Sequence, residues 1–257
     1  MLVVVDIGNT NITLGLFDGD NIIGNYRLTT KLQRTSDEYG FMILSFLEAY
    51  HVKVEDIQDV IISSVVPKII YSFTNSIKKY FNKEPIIIGP GIKTGISIKI
   101  DNPKALGADR LVDAAGAYYI YSCACLVIDF GTATTFDIVT DKGEFIGGAT
   151  APGLGISIEA LSAQAAKLPE IEIKKPNKII ARNTVDSMQA GIVYGYIGLT
   201  EKIITEIKKE YGQDLKVIST GGLGRMIYNE TNLIDHFDPD LTFKGLKIIY
   251  DLQKGRN

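Results

Sequence analysis

The sequence contains an internal repeat that restricts how the chain can fold. Residues 2–24, LVVVDIGNTNITLGLFDGDNIIG, align without a gap on residues 125–147, CLVIDFGTATTFDIVTDKGEFIG, at an offset of 123. The alignment places Asp6 on Asp129 within a shared Asp-x-Gly motif. Short β-meanders resemble one another by chance, but equal length together with the matching motif favours a duplication. The sequence therefore predicts two related halves.

Each copy of the repeat has the pattern of a three-stranded meander. The continuous apolar runs Leu2–Val5 and Leu126–Ile128 are typical of strands that are buried on both faces. β-branched residues and polar turns follow, as in further strands of a hairpin. Periodicity and turn residues then predict alternating helices and strands. The predicted helices are 36–50, 67–81, 104–121, 155–166, 184–211 and 243–252, and the further strands are 60–64, 85–88 and 215–220.

This pattern predicts an α/β fold of two domains with mixed sheets and a cleft between them. We expect the domains to be 1–115 and 116–257, because the boundary falls near the helix 104–121 and no low-complexity linker marks it.

Composition argues against several classes of protein. The 27 Lys and Arg residues are balanced by 30 Asp and Glu residues, so no broad basic surface for nucleic acid is expected. No run of 18 apolar residues is present, and we expect no membrane partner. The apolar start of the chain meets Asp6 without a preceding basic region, which is unlike a signal peptide. A cytoplasmic location is therefore expected.

Cysteine and histidine are scarce. Cys123 and Cys125 could form a redox or metal-binding pair, but two small residues in a buried strand are the favoured interpretation. The two histidines, His51 and His236, lie outside any motif. If the protein is an enzyme, carboxylates are therefore expected to carry its acid–base chemistry.

The Asp-x-Gly turns are the candidate phosphate sites. Neither a P-loop nor a dinucleotide-binding fingerprint is present, since the segment GPGIKT at 89–94 has the wrong spacing. Glycine lets an anion approach backbone amides, and an aspartate at a strand end can hold a cation that bridges phosphates. A single turn of this kind could be an ordinary β-turn. Two turns related by a repeat favour phosphate binding.

The same residues carry a resemblance. Paired Asp-x-Gly turns in duplicated domains resemble the superfamily of acetate and sugar kinases, actin and heat-shock chaperone ATPases. Three further stretches narrow it: Gly107-Ala108-Asp109-Arg110 after Asn102-Pro103, Thr150-Ala151-Pro152-Gly153 after Gly147-Gly148, and Asn183-Thr184. In this order along the whole chain, they resemble type III pantothenate kinase. The resemblance implies two ribonuclease-H-like (actin-like) domains.

The resemblance also implies a reaction and its participants. The reaction is ATP-dependent phosphorylation of pantothenate to 4′-phosphopantothenate, the first step of coenzyme A biosynthesis. Another small-molecule kinase of the superfamily and a non-enzymatic regulatory paralogue remain as alternatives. The implied cofactors are Mg²⁺, which accompanies ATP, and a monovalent cation, K⁺ or NH₄⁺.

Site residues follow from matching positions. Asp109 resembles the catalytic base, and we expect the helix dipole to favour its charged form. The alternative is that Asp109 and Arg110 are ordinary first-turn charges. Asp6 resembles a ligand of Mg²⁺-ATP, and Asp129 resembles the monovalent-cation site. The implied substrate positions are Gly107, Ala108, Asp109, Arg110, Thr184 and Ile100, and the implied ATP positions are Asp6, Ile7, Gly8, Asn9, Thr10, Asn11, Ile12, Thr13 and Thr132.

Some positions keep a second interpretation. Thr184 could instead be a helix N-cap. Gly221-Gly222 resembles the adenosine-side turn but is also typical of a helix start after a strand. Ile100 stands where this family often has tyrosine, and isoleucine cannot donate a hydrogen bond there.

The last expectation concerns assembly. The helix 184–211 contains Gly191, Gly195 and Gly198, which destabilise a helix interior unless close packing compensates. This packing could be internal, against the sheet. The resemblance favours a homodimer in which these helices meet across a two-fold axis.

Overall fold

The computed structural model describes residues 1–31, 33–165 and 167–255. They divide into two compact α/β units. The first unit contains Met1–Ser97, Asp101–Tyr119 and the chain from Asp240 onward, and the second contains Ile98–Ile100 and Ile120–Pro239.

The sheet of the first unit is mixed. Its strand order is β3-β2-β1-β4-β5, in which β2 is antiparallel to β1 and β3, whereas β4 and β5 run parallel to β1. The strands are β1 Leu2–Ile7, β2 Asn11–Asp18, β3 Asn21–Thr29, β4 Asp59–Ser64 and β5 Ile86–Ile87.

The sheet of the second unit repeats this arrangement. Its order is β11-β10-β7-β8-β9-β6, with β7–β9 antiparallel and β10 and β11 parallel to β7. The strands are β6 Ser97–Ile98, β7 Cys125–Phe130, β8 Ala133–Val139, β9 Glu144–Pro152, β10 Lys216–Thr220 and β11 His236–Phe237. The predicted α/β fold with two mixed sheets is confirmed, because five strands of each sheet correspond in order and direction.

The gapless alignment of the repeats is wrong by one residue over their second strands. Ile7 pairs with Ile12, which leaves residues 8–11 in the first turn, whereas Phe130 pairs with Thr134, which leaves only residues 131–133. The following hairpin turn of the second repeat is one residue longer and restores the offset. The two changes cancel, so the sequence alignment shows no gap.

The helices start and stop close to the predicted positions. The predicted helix 104–121 is interrupted, because a short 3₁₀ turn at Pro103–Ala105 precedes α3. The predicted end at Ala166 lies outside the described residues. The helices are α1 Ser36–Ala49, α2 Pro67–Phe81, α3 Ala108–Tyr121, α4 Leu154–Gln164, α5 Thr184–Tyr211, α6 Gly224–Tyr228 and α7 Leu241–Lys254.

Side chains cap two of the helices. Thr35 caps α1 and forms a capping box with Glu38. Asn183 caps α5, since its side chain accepts a hydrogen bond from Asp186 N at 2.9 Å. The interpretation of Thr184 as an N-cap is therefore wrong, and Thr184 is the first residue of the helix.

Strand β1 is buried on both faces, as its sequence predicts. Val3, Val5 and Ile7 pack into one core with α1 and α2, while Leu2 and Val4 pack into another with α3 and α7. The C-terminal helix therefore belongs to the first unit, which differs from a simple division into sequence halves. The boundary at residue 115 and the cleft between the halves stay predictions.

Among the described residues, no helix combines the length and the apolar character that spanning a membrane requires.

Candidate active site

The first Asp-x-Gly turn joins β1 to β2. Gly8 N donates a hydrogen bond to Asn11 O at 2.9 Å, and the hydroxyl of Thr30 donates to Gly8 O at 2.7 Å. These bonds fix the turn and leave Asn9 and Thr10 exposed at its tip. The turn therefore presents backbone amides and small polar side chains to solvent, as phosphate binding requires.

The predicted ATP-binding segment divides into two groups of residues. Ile7 and Ile12 pair across the strands, and their side chains are fully buried in the core, so only their backbone is available to a nucleotide. Asp6 pairs with Thr13 on the neighbouring strand. These two residues and Asn11 are partly exposed.

Asp109 lies in the first turn of α3, where Gly107 makes room for it. A Cβ atom at Gly107 would lie 2.4 Å from Asp109 Oδ1, and a separation this short would displace the carboxylate. Arg110 N donates a hydrogen bond to the same oxygen at 2.8 Å. The glycine of the Gly-Ala-Asp-Arg motif and the amide of Arg110 thus set the position of the Asp109 carboxylate.

The structure brings Asp6 and Asp109 together in the first unit. Burial raises the pKa of Asp6 to about 7, the charge of Asp109 adds to this shift, and the Ser63 hydroxyl opposes it. Burial also raises the pKa of Asp109, against the opposing effects of the Arg110 amide and charge. Burial is the largest of these effects, so the pKa of Asp109 lies above its ordinary value although the Arg110 amide and charge favour the charged form. The contribution of the helix dipole stays a prediction.

This pair of carboxylates fits a divalent cation. Asp6 Oδ1 is inaccessible to solvent and has no hydrogen-bond partner among the described residues. A buried carboxylate oxygen without a partner is costly, and a second carboxylate nearby increases the cost. A cation would satisfy the oxygen and reduce the repulsion. Mg²⁺ is commonly held by one or two carboxylates together with the phosphates of a nucleotide.

The second turn, between β7 and β8, is enclosed by glycines. Gly221 has φ +92°, and a Cβ atom there would lie 2.5 Å from Asp129 Oδ1. A Cβ atom at Gly153 would lie 2.3 Å from Thr132 O, while Gly153 N donates a hydrogen bond to that oxygen at 3.0 Å. Backbone therefore approaches the Asp129 turn closely from two sides, and Thr132 stays exposed at its tip.

Two other predicted substrate residues, Thr184 and Ile100, lie in the second unit. Thr184 is exposed and lines a cavity of about 640 Å³ together with Arg182, Ser187 and Gly191. Ile100 lies beside the aligned glycine of the repeat, with its Cγ2 3.8 Å from the Cβ position of Gly147. The other implied substrate positions, Gly107, Ala108 and Arg110, lie with Asp109 in the first unit and are partly buried.

The two cysteines have the character of buried residues. Their Sγ atoms are 4.0 Å apart, Cys125 is fully buried, and burial together with Cys123 raises the pKa of the Cys125 thiol to about 12. Such a thiol is poorly reactive at neutral pH. Within the described residues, no group of three or more His, Cys, Asp or Glu side chains could hold a metal ion.

Sequence reasoning missed three features of these sites. Ser63 was not singled out, although the pattern of a strand ending in Ser-Ser beside an apolar run was visible. The steric role of Gly107 and the contact of Gly221 with Asp129 both depend on segments that are distant in the sequence. Extending the internal repeat to β4 and β10 would also have indicated Ser63.

Comparisons with known proteins agree with this geometry. The family model described as type III pantothenate kinase matches residues 2–206. A type III pantothenate kinase of Agathobacter rectalis is 57% identical over 254 residues, which cover 98% of each chain. A type III pantothenate kinase of Syntrophobacter fumaroxidans is 51% identical over 255 residues and 99% of each chain.

Solved structures show the fold. A structure described as a 2-dehydro-3-deoxygalactonokinase of Sinorhizobium meliloti matches with a TM-score of 0.60 at 11% identity, over 98% of this chain and 99% of that one. This likeness confirms the duplicated ribonuclease-H-like fold that the motifs implied, and the family model and the full-length relatives confirm that the protein is a kinase. Because the family model and full-length relatives agree, the chain belongs to the type III pantothenate kinase family.

Proposed function

We propose that the protein transfers the γ-phosphoryl group of ATP to the primary hydroxyl of pantothenate, with Asp109 as the general base. The observation that carries the proposal is that Asp109 and Asp6 lie in the same unit, near enough for their charges to interact, in a chain of this family. A base must lie within reach of the hydroxyl proton and have a pKa suited to neutral pH. Burial of Asp109 raises its pKa in that direction. The product is 4′-phosphopantothenate, the first intermediate toward coenzyme A.

Asp6 holds the Mg²⁺ that accompanies ATP in this proposal. The partnerless Oδ1 of Asp6 supports the assignment. When bound, the metal neutralises charge on the transferring phosphoryl group. The exposed tip residues Asn9 and Thr10 and the amides of the first turn then contact phosphate oxygens.

Asp129 provides the monovalent-cation site, for K⁺ or NH₄⁺. Its turn is tightly enclosed by Gly131, Gly153 and Gly221, so backbone carbonyl groups and the carboxylate lie close together. Carbonyl and carboxylate oxygens are suitable ligands for a hard cation. Thr132, at the exposed tip, contacts phosphate.

Pantothenate is bound by Gly107, Ala108, Arg110, Thr184 and Ile100, as the family resemblance implies. The Thr184 cavity supports this role for α5, because Thr184 is exposed there rather than used as a cap.

The protein acts as a homodimer in this proposal. Gly191, Gly195 and Gly198 lie on α5, and no heavy atom of the described chain lies within 4 Å of the Cβ position at any of them. Internal packing against the sheet therefore does not account for these glycines, and we infer that they pack on α5 of a second copy. Ile179 and Ile180, 63% and 84% exposed, are further exposed apolar side chains that precede the helix. The cytoplasmic location stays a prediction.

A coupled assay of ADP release tests the reaction. Pantothenate and alternative alcohols are compared, with potassium or sodium as the only salt. We expect turnover with pantothenate and little with the other alcohols. Faster turnover with another alcohol would assign the protein to a different small-molecule kinase, and no turnover with any alcohol would indicate a regulatory paralogue. Light scattering at micromolar concentration tests the dimer, which a mass near 28.2 kDa in active protein would contradict.

A further inference from the structure

Ser63 lies next to Asp6 on the neighbouring strand. The two residues are paired in the parallel register of β1 and β4, at the strand ends that meet the first turn. The Ser63 side chain is fully buried. The preceding strand residues Val60, Ile61 and Ile62 are apolar and fully buried. Ser63 therefore places a polar hydroxyl directly after a run of apolar side chains.

Two partnerless polar atoms therefore lie side by side. Neither Asp6 Oδ1 nor Ser63 Oγ meets hydrogen-bond geometry with any described residue, although the Ser63 hydroxyl is near enough to lower the pKa of Asp6. A buried donor or acceptor that lacks a partner costs more free energy than a typical hydrogen bond contributes when it forms. A hydrogen bond from the Ser63 hydroxyl to the Asp6 carboxylate would give the serine a partner and leave further lone pairs of the carboxylate for a cation.

The second repeat has a hydroxyl at the same place. Thr220 on β10 is paired with Asp129 on β7 in the same parallel register in which Ser63 is paired with Asp6. Thr220 is also buried, with 2% of its surface exposed. The repeat thus extends beyond the meander to β4 and β10, and each aspartate has a buried hydroxyl residue beside it. A residue chosen only for its small size would not explain a hydroxyl in both copies.

We propose that Ser63 is a positioning residue for Asp6. Its hydroxyl donates a hydrogen bond to the carboxylate and holds it in the orientation that receives the divalent cation of the nucleotide. A neutral donor can orient a carboxylate without competing with the cation. A lysine or arginine in its place would compete, because its side chain is itself positively charged. The inference rests on the proposed role of Asp6 in binding Mg²⁺-ATP.

Calorimetry with a non-hydrolysable ATP analogue tests the role of Ser63. The variant Ser63→Ala removes the hydroxyl and keeps the side chain small. Thr74→Val is the matched control, because Thr74 Oγ1 is also inaccessible and partnerless among the described residues but lies within α2. Binding is measured with excess Mg²⁺ and with EDTA, and the unliganded melting temperature is measured for each variant.

We expect Ser63→Ala to weaken Mg²⁺-dependent binding by about tenfold, the loss of one hydrogen bond to a charged group. The unliganded melting curve of Ser63→Ala should remain cooperative, which shows that the variant folds, and Thr74→Val should bind as the wild type does. Wild-type affinity of Ser63→Ala with Mg²⁺ would overturn the proposal. An equal loss of affinity with Mg²⁺ and with EDTA would also overturn it, because the effect would then not pass through the metal.

Asp6→Asn separates this inference from the function on which it rests. If Asp6→Asn keeps wild-type Mg²⁺-dependent affinity, the metal-binding role of Asp6 is wrong. If Asp6→Asn loses affinity while Ser63→Ala does not, only the positioning role of Ser63 is wrong.

Discussion

Asp6 and Asp129 occupy the same place in two copies of one meander, but their surroundings differ. Asp6 shares a buried environment with a second acid, Asp109, which raises its pKa. Asp129 is instead approached closely by the backbone of Gly221, where a side chain would collide with its carboxylate. The second turn is also one residue shorter than the first.

The residue that follows the third strand shows the same divergence. Thr30 N and Gly153 N each donate a hydrogen bond to a carbonyl in the adjacent Asp-x-Gly turn. Thr30 uses its hydroxyl as well, on Gly8 O, whereas a Cβ atom at Gly153 would collide with Thr132 O. The first copy thus places a pair of acids beside an open turn, and the second encloses its acid with backbone. One duplicated frame therefore gives the two aspartates different surroundings.

The largest expected effect comes from Asp109, the second acid near Asp6 in the first unit. Asp109→Asn keeps the shape of the side chain but removes the base, so turnover in the ADP-release assay should fall by about two to four orders of magnitude. Binding of the ATP analogue should change little. Asp101→Asn, at an exposed position before α3, is the control and should be fully active. Near-normal turnover of Asp109→Asn would remove Asp109 from the role of base.

The second copy should determine the response to monovalent cations. Wild-type turnover should be about tenfold or more higher in potassium or ammonium than in sodium, because the cation offsets phosphate charge. Asp129→Ala should lose this difference. Asp141→Ala, at an exposed position in the same repeat, should keep it. Equal rates of the wild type in sodium and potassium would contradict the assignment.

The buried carboxylate of Asp6 should also affect the stability of the protein without any ligand bound. Its folded pKa, about 7, lies above the ordinary value of 3.8, so the folded chain binds more protons than the unfolded chain between these values. The free energy of unfolding therefore falls as pH rises through this window. Asp6→Asn should raise it by about 1–3 kcal/mol at pH 8, a shift of several degrees in melting temperature.

At pH 4 the same substitution should have almost no effect, because Asp6 is then protonated in the folded protein. Melting curves in EDTA at both pH values test this, with Asp18→Asn as an exposed control at the end of β2. A stability gain of equal size at both pH values would show that charge is not the cause.

The sequence was most informative where structure depends on local pattern. The helix 184–211 and the helix 67–81 were predicted at their observed bounds, since apolar periodicity and a first-turn proline mark them. The roles of Asp6 and Asp109 came from motif resemblance, and their proximity did not. That proximity depends on the packing of α3 against the first sheet, as does the burial that raises the pKa of Asp109. The one-residue shift between the repeats was hidden because its two halves cancel in the alignment.

The smallest expected effect concerns the third strands of the two repeats. Gly24 and Gly147 are aligned, but Gly24 packs under the ring of Tyr50, 2.7 Å from its Cβ position, whereas Gly147 has φ +119° and lies beside Ile100. The first glycine is covered by a tyrosine of its own unit, and the second borders a residue that the family resemblance assigns to the substrate. Tyrosine, common at position 100 in this family, would add a donor there.

Ile100→Tyr should therefore lower KM for pantothenate by about three- to tenfold, the usual contribution of one neutral hydrogen bond, and leave kcat within about twofold. Ile100→Phe is the matched control, because it adds the ring without the hydroxyl. If both variants lower KM equally, apolar contact rather than hydrogen bonding accounts for the change. If neither changes KM, Ile100 does not face pantothenate, and the difference between the two aligned glycines has no consequence for substrate binding.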